Sequence, residues 1–248
     1  MMSSHSVRRS TAEYGCLVLV TFAVLQSALV VMHEFTHSTV AWLLGCMPTP
    51  WGIRWENPLT LRGWDEGVAY ASLFASGHGH GAAIVGVSPL VLHAAIVTLG
   101  LCGMRRGIPR GKWGFHWLFW FVVANFMELI SYIVMGSFLP FGDMGNFNRG
   151  TGLSPWILFL GRSAAILYGL RVLFGEVVPR LDRLFARGDR LVEWSILFWT
   201  GTMLFLWGSG LRLAVLLYPD PQWLFGLLGV GAFGVALVRY GPSRRERE

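Results

Sequence analysis

Six long apolar stretches run through the chain and restrict what it can fold into. They lie at 14–44, 82–103, 114–139, 153–174, 192–217 and 222–240 of the 248 residues. Each is long enough to cross the hydrocarbon core of a bilayer, which takes about 20 helical residues. Because a helix satisfies its backbone hydrogen bonds within its own segment, these stretches predict an all-α, polytopic membrane protein with about six transmembrane helices.

The charge content agrees with a membrane protein. Charged residues make up 14% of the chain, whereas a soluble domain usually carries about 25%. The deficit extends along the whole chain, which excludes a soluble domain held by one anchor. The net charge of +6 comes from basic residues in short loops, a distribution that sets membrane topology and gives no indication of nucleic-acid binding.

The positions of the basic residues predict the topology. If both termini are cytoplasmic, fifteen of the Arg and Lys residues in the tails, the loops and the ends of the apolar stretches fall on the cytoplasmic side and three on the opposite side. Such an excess is typical of cytoplasmic loops. The short loops and the absence of a targeting segment favour a prokaryotic plasma membrane.

The segment 45–81 differs from the other loops. Gly45 and several prolines stop the first helix from continuing. After them Trp51, Ile53 and Trp55 alternate with smaller or polar residues, as in a short strand. The pattern predicts either a surface loop or a short re-entrant strand element after the first helix.

The first apolar stretch contains His33-Glu34-Phe35-Thr36-His37. Histidines four residues apart lie on one face of a helix, so that both imidazoles can bind one metal ion. Glu34 lies about 100° around the helix, near enough to serve as a general base. Three ionisable side chains within an apolar span are costly, about 2.5–3.5 kcal/mol each for charged groups. The pattern therefore predicts a zinc site of the HExxH type; a polar turn near a helix end is the alternative.

A third metal ligand must come from elsewhere in the chain, because a catalytic zinc usually has three protein ligands and one open position. Asp143 follows the third apolar stretch in a segment with Pro140, Gly142 and Gly145, which predicts a flexible turn on the same side of the membrane as the end of the first helix. Glu128, inside the third stretch, is the alternative third ligand. Asp143 is the favoured one.

These motifs resemble the site-2 protease family of intramembrane zinc metalloproteases. The matching pieces are the HExxH at 33–37 and Pro140-Phe141-Gly142-Asp143, about a hundred residues later. Asn125 is similar to an asparagine that the family places before its aspartate, and the segment after the first motif resembles the family's re-entrant strands. The resemblance covers roughly residues 14–145, with Met144 standing where the family usually has glycine.

The resemblance implies a function and a division of the chain. His33, His37 and Asp143 would hold Zn²⁺, Glu34 would act as general base, and Asn125 would bind the oxyanion or the substrate backbone. The substrate would be a transmembrane or membrane-proximal segment of another membrane protein. A metalloprotease core at 14–145 would then lie between a cytoplasmic tail at 1–13 and an accessory three-helix region at 146–240, with a basic cytoplasmic tail at 241–248.

Two other functions fit the same residues. A metal transporter or sensor would use the ligands without hydrolysis, and an inactive scaffold would keep the fold alone. Glu34 distinguishes them, because a transporter needs ligands but no general base. The charge bias also predicts that the motif lies in the half of the membrane away from the cytoplasm, whereas site-2-type proteases work near the cytosolic face. The sequence makes no prediction of oligomeric state.

Overall fold

Helices account for most of the computed structural model, which describes residues 4–57, 64–132, 136–210 and 223–242. A π-helical turn, Leu173–Val177, joins the sixth and seventh helices, and a π-helical segment, Thr202–Gly210, continues the eighth. The helices are α1 Ser4–Leu43, α2 Tyr70–Ala75, α3 Gly79–Arg105, α4 Lys112–Ile130, α5 Gly142–Thr151, α6 Pro155–Val172, α7 Val178–Phe185, α8 Arg190–Gly201 and α9 Trp223–Tyr240.

Membrane-spanning length is reached by five helical segments of the described chain. They are Thr11–Leu43, Gly79–Arg105, Lys112–Ile130, Pro155–Phe185 and Arg190–Gly208. The predicted all-α polytopic membrane protein is thus confirmed. The sixth predicted stretch forms α9, whose apolar part Gly226–Tyr240 is shorter than the others. The predicted tight hairpin at Pro219-Asp220-Pro221 lies outside the described residues.

No strand forms after α1 among the described residues, so of the two predicted alternatives the re-entrant strand is wrong for this part of the chain and a loop is found instead. Its nearest counterpart is one antiparallel bridge between Arg54 and Asp65, with N–O distances of 2.8 and 3.2 Å. The alternating aromatic residues pack on the helix: the rings of Trp51 and Trp55 lie 5.3 and 5.9 Å from the ring of Phe35. These contacts fold the segment back over the end of α1.

The third predicted span is shorter than its apolar pattern. Helix α4 ends at Ile130 and is followed by a π-helical turn at Ser131 and Tyr132. The Ser131 hydroxyl donates to the carbonyl of Gly208 at 2.5 Å, so α4 ends against the π-helical segment that follows α8. The expectation of a flexible turn at Asp143 is also wrong, because Asp143 lies in the first turn of α5.

Helices α3 and α5 approach each other closely enough to need glycine. A Cβ at Gly86 would lie 2.8 Å from the carbonyl oxygen of Asp143 and 3.3 Å from Cβ of Asn146. A Cβ at Gly150, at the other end of α5, would overlap the carbonyl oxygen of Gly79. Neither position has room for a side chain. The backbone of α5 is therefore fixed against α3 at both ends.

Helices α1, α3 and α4 pack against one another, and α5 packs on α3. The interior is largely apolar, yet it encloses several polar side chains that are less than a tenth exposed: His33, His37, His93, Asn125 and Glu128. Buried polar groups are costly unless they are partnered. Their arrangement therefore indicates where the fold carries function.

Candidate metal centre

Helix α1 supplies two of the three side chains at the centre. His33 and His37 lie one turn apart, with ring centroids separated by 4.8 Å. His33 is 6% exposed and His37 1%. The face of α1 that carries them packs against α3 and α4, which explains the deep burial.

Asp143 brings a carboxylate to the two imidazoles from α5. Its Oδ2 lies 3.1 Å from Nε2 of His33, and its Oδ1 lies 3.2 Å from Nε2 of His37. The two Nε2 atoms are 3.1 Å apart. One potential ligand atom from each residue thus lies within 4.8 Å of the others, as a shared cation requires.

The hydrogen bond of His37 fixes its tautomer. Its Nδ1 donates to the carbonyl oxygen of Val85 at 2.8 Å, and a carbonyl can only accept. In a neutral imidazole the other nitrogen, Nε2, then carries a lone pair. That lone pair faces the centre.

A hydrogen-bonded chain fixes the tautomer of His33 in the same way. The Asn125 amide donates through Nδ2 to the carbonyl of Phe121 at 2.7 Å, which leaves its Oδ1 to accept from Nδ1 of His93 at 2.8 Å. Nε2 of His93 then accepts from Nδ1 of His33 at 3.1 Å. Nε2 of His33 therefore also presents a lone pair to the centre. Partners of this kind orient metal-binding histidines in known sites.

The three groups suit a divalent cation. Two lone pairs and a carboxylate that meet at about 3 Å repel one another unless positive charge lies between them. Burial opposes ionisation of Asp143, but its interactions with His37 and His33 outweigh burial and hold the pKa of this carboxyl well below its usual range. Asp143 is thus an ionised ligand, and the set of two imidazoles and one carboxylate is a known arrangement for catalytic zinc.

Glu34 lies beside the centre on the same turn of α1 and is half-buried. It takes no part in the group of three ligands. Instead, one of its carboxylate oxygens lies within 4.8 Å of carboxylate oxygens of Asp65 and Glu66, which come from the segment folded back over α1. Glu34 is thus separate from the ligand group and close to two carboxyl groups of the loop.

Two predicted site residues lie elsewhere. Asn125 is two hydrogen bonds away from the ligand nitrogens, so it supports His33 through His93 and does not face the centre. Glu128, the alternative third ligand, accepts a hydrogen bond from Gln26 at 3.0 Å and belongs to neither metal-type group found among the described residues.

Three further residues near the centre are absent from the site predicted from the sequence. The Tyr132 ring stacks on His33 at 5.4 Å, with its hydroxyl 3.3 Å from Nε2 of His33. His93 contacts Nδ1 of His33 and orients it. Glu66 reaches Glu34 from a loop. Of the three, only His93 could be identified from the sequence, because a histidine inside an apolar span needs a polar partner.

We expect His93→Leu to weaken zinc binding by about 10- to 100-fold, the usual effect of removing a partner of a metal-binding histidine. Without His93, His33 loses the acceptor that fixes its tautomer. The measurement is zinc affinity by competition with a chromogenic chelator.

The matched control is His116→Leu. His116 is also fully buried, and its Nε2 lies 3.1 Å from the Thr21 hydroxyl, away from the centre. Equal affinity in the two variants would contradict the role assigned to His93.

No protein-family model matches the chain, and neither the curated proteins nor the solved structures contain a detectable relative.

Proposed function

We propose that the protein is an intramembrane zinc metalloprotease that hydrolyses a peptide bond in or near a transmembrane segment of another membrane protein. One observation carries the proposal. His33, His37 and Asp143 bring three ligand atoms close together, and Glu34 directly follows His33 on the same helix turn. This combination is what metal-assisted peptide hydrolysis needs.

The ligand set favours zinc. Imidazole nitrogen suits zinc better than it suits magnesium or calcium, which take oxygen ligands. Three protein ligands leave a coordination position open, as in catalytic zinc sites. When bound, zinc would act as a Lewis acid that polarises the scissile carbonyl.

Glu34 is the general base in this proposal. Its carboxylate takes a proton from the attacking water and passes it to the nitrogen of the leaving amine. Its position agrees with this role, because Glu34 directly follows His33 in α1 without belonging to the ligand group. General-base catalysis of this kind typically contributes about 10²–10⁴-fold.

Tyr132 is better located than Asn125 to bind the oxyanion. Its hydroxyl lies 3.3 Å from Nε2 of His33, at the edge of the ligand group, and a hydroxyl can donate to a substrate carbonyl. Both polar groups of the Asn125 amide are already used within the protein. Asn125 then serves as the far end of the chain that orients His33.

The location of the centre supports a membrane substrate. Both histidines lie inside Thr11–Leu43, a segment of membrane-spanning length. A substrate helix must unwind locally to offer a peptide bond, since helical backbone groups are hydrogen-bonded to one another. We retain a prokaryotic plasma membrane with both termini cytoplasmic as the proposed setting.

The test combines metal content with cleavage. We expect the purified protein in detergent to contain about one zinc per chain, measured by mass spectrometry of the metal. Cleavage of co-expressed single-span membrane proteins should be lost when a chelator removes the zinc and return when zinc is added. His37→Ala is the control, since it lacks a ligand and should show neither.

The other outcomes identify the competing functions. A wild-type protein without zinc would overturn the metalloprotease. Bound zinc without cleavage, together with zinc uptake into vesicles, would support a transporter. Bound zinc with neither activity would support a sensor or an inactive scaffold.

A further inference from the structure

Glu66 is a buried carboxyl group in a loop that approaches α1. It is 6% exposed, while its neighbour Asp65 is exposed. It lies outside the segments of membrane-spanning length. A buried carboxyl is costly unless its partners compensate, so its position calls for a physical explanation.

The partners of Glu66 are the candidate base and a tyrosine. An oxygen of its carboxyl group lies within 4.8 Å of an oxygen of the Glu34 carboxyl group. The Tyr70 side chain interacts with Glu66. Burial raises the pKa of Glu66, and a hydrogen bond with Asp65 adds to this increase.

Several contacts fix the loop that carries Glu66. The backbone bridge between Arg54 and Asp65 joins the two sides of the loop directly before Glu66. The Ser38 hydroxyl donates to the carbonyl of Pro50 at 2.8 Å, which ties the loop to α1 one turn after Glu34. Packing of Trp55 against Trp64, at 4.8 Å between ring centroids, adds an apolar contact across the loop. The approach of Glu66 to Glu34 is therefore built into the fold.

We propose that Glu66 is a positioning residue that holds the carboxyl group of Glu34 in the orientation required for proton transfer. This inference rests on the proposed protease function. A glutamate side chain has several rotatable bonds, and a base that moves by 1 Å from its productive position can lose about 10²-fold in rate. A fixed polar group beside the carboxyl group restricts that freedom before the substrate arrives.

The contact also explains why the loop folds back over α1. The two imidazoles and Asp143 hold the metal without any residue of the loop. Glu34, in contrast, is only half-buried and lies next to the ligands. The loop therefore positions the base, whereas the metal ligands all come from helices. Positioning of the base and binding of the metal are thus assigned to different parts of the structure.

The test measures kcat, KM and zinc content for Glu66→Ala and Glu66→Gln. We expect Glu66→Ala to lower kcat by about 10²-fold with unchanged KM and zinc. Glu66→Gln should return kcat to within a few-fold of wild type, because the glutamine amide can donate a hydrogen bond to the Glu34 carboxylate. A role in folding alone would lower the yield and zinc content instead, and glutamine would have no special effect on kcat.

The control is Glu56→Ala, an exposed glutamate in the same loop, which should keep the wild-type kcat. Unchanged kcat in Glu66→Ala, in a protein whose cleavage depends on zinc and on Glu34, would overturn the role of Glu66 alone. Equal losses in the alanine and glutamine variants would also overturn it. A wild-type protein that does not cleave would overturn the proposed function, and the role of Glu66 with it.

Discussion

Replacing Glu34 by glutamine is expected to lower the cleavage rate by about 10²–10⁴-fold while the bound zinc stays unchanged. The amide has nearly the same size as the carboxyl group and can still contact Glu66, but it cannot accept the proton of the attacking water. The metal should remain, because Glu34 is not among the three ligands. Cleavage of a membrane protein substrate and zinc content are measured on the same preparation.

Glu13→Gln is the control for this change. Glu13 lies on the same helix, is exposed, and is more than five turns from Glu34. It should leave both quantities at wild-type values. Cleavage that survives in Glu34→Gln would exclude Glu34 as the base, and loss of zinc in that variant would place it among the ligands.

Removal of the third ligand, Asp143, should lower the affinity for zinc more than replacement of Glu34 does. We expect Asp143→Ala to weaken zinc binding by more than about 100-fold, because loss of a ligand should exceed the 10- to 100-fold cost of losing a mere partner of a ligand. The carboxylate also supplies the negative charge that offsets the cation. Zinc affinity by competition and zinc content after purification are the measurements, and cleavage should disappear with the metal.

Glu128→Gln separates the two candidate third ligands. Glutamine can keep the contact with Gln26, and the variant should bind zinc as the wild type does. The assignment of Asp143 fails if its alanine variant retains zinc. A Glu128→Gln protein that loses zinc while Asp143→Ala keeps it would reverse the assignment.

The sequence predicted the parts of the site that depend on local spacing. His33 and His37 face the same direction because four residues make about one helical turn. Ionisable side chains in an apolar span are costly, so their presence there indicates a function. Asp143 could be predicted as the third ligand because the number of spans before it predicts that it lies on the same side of the membrane as the end of the first helix. The fold class followed from the length of the apolar stretches alone.

The rest depended on contacts between distant segments. His93 and His33 are 60 residues apart, and their contact requires the packing of α3 on α1. Glu66 approaches Glu34 through a loop whose course has no periodic signal. The end of α4 was missed because the apolar pattern continues beyond Ile130, whereas the helix stops where Ser131 contacts Gly208.

The glycines that hold α5 against α3 also affect how the metal is acquired. With no side chain at Gly86 or Gly150, the two backbones touch, and the Asp143 carboxylate is oriented as the protein folds. The conformational entropy of the third ligand is therefore lost when the protein folds. Little further entropy is lost from this side chain when the metal binds. Zinc should therefore bind to ligands that are already oriented, so that uptake by the apoprotein needs no rearrangement of its helices.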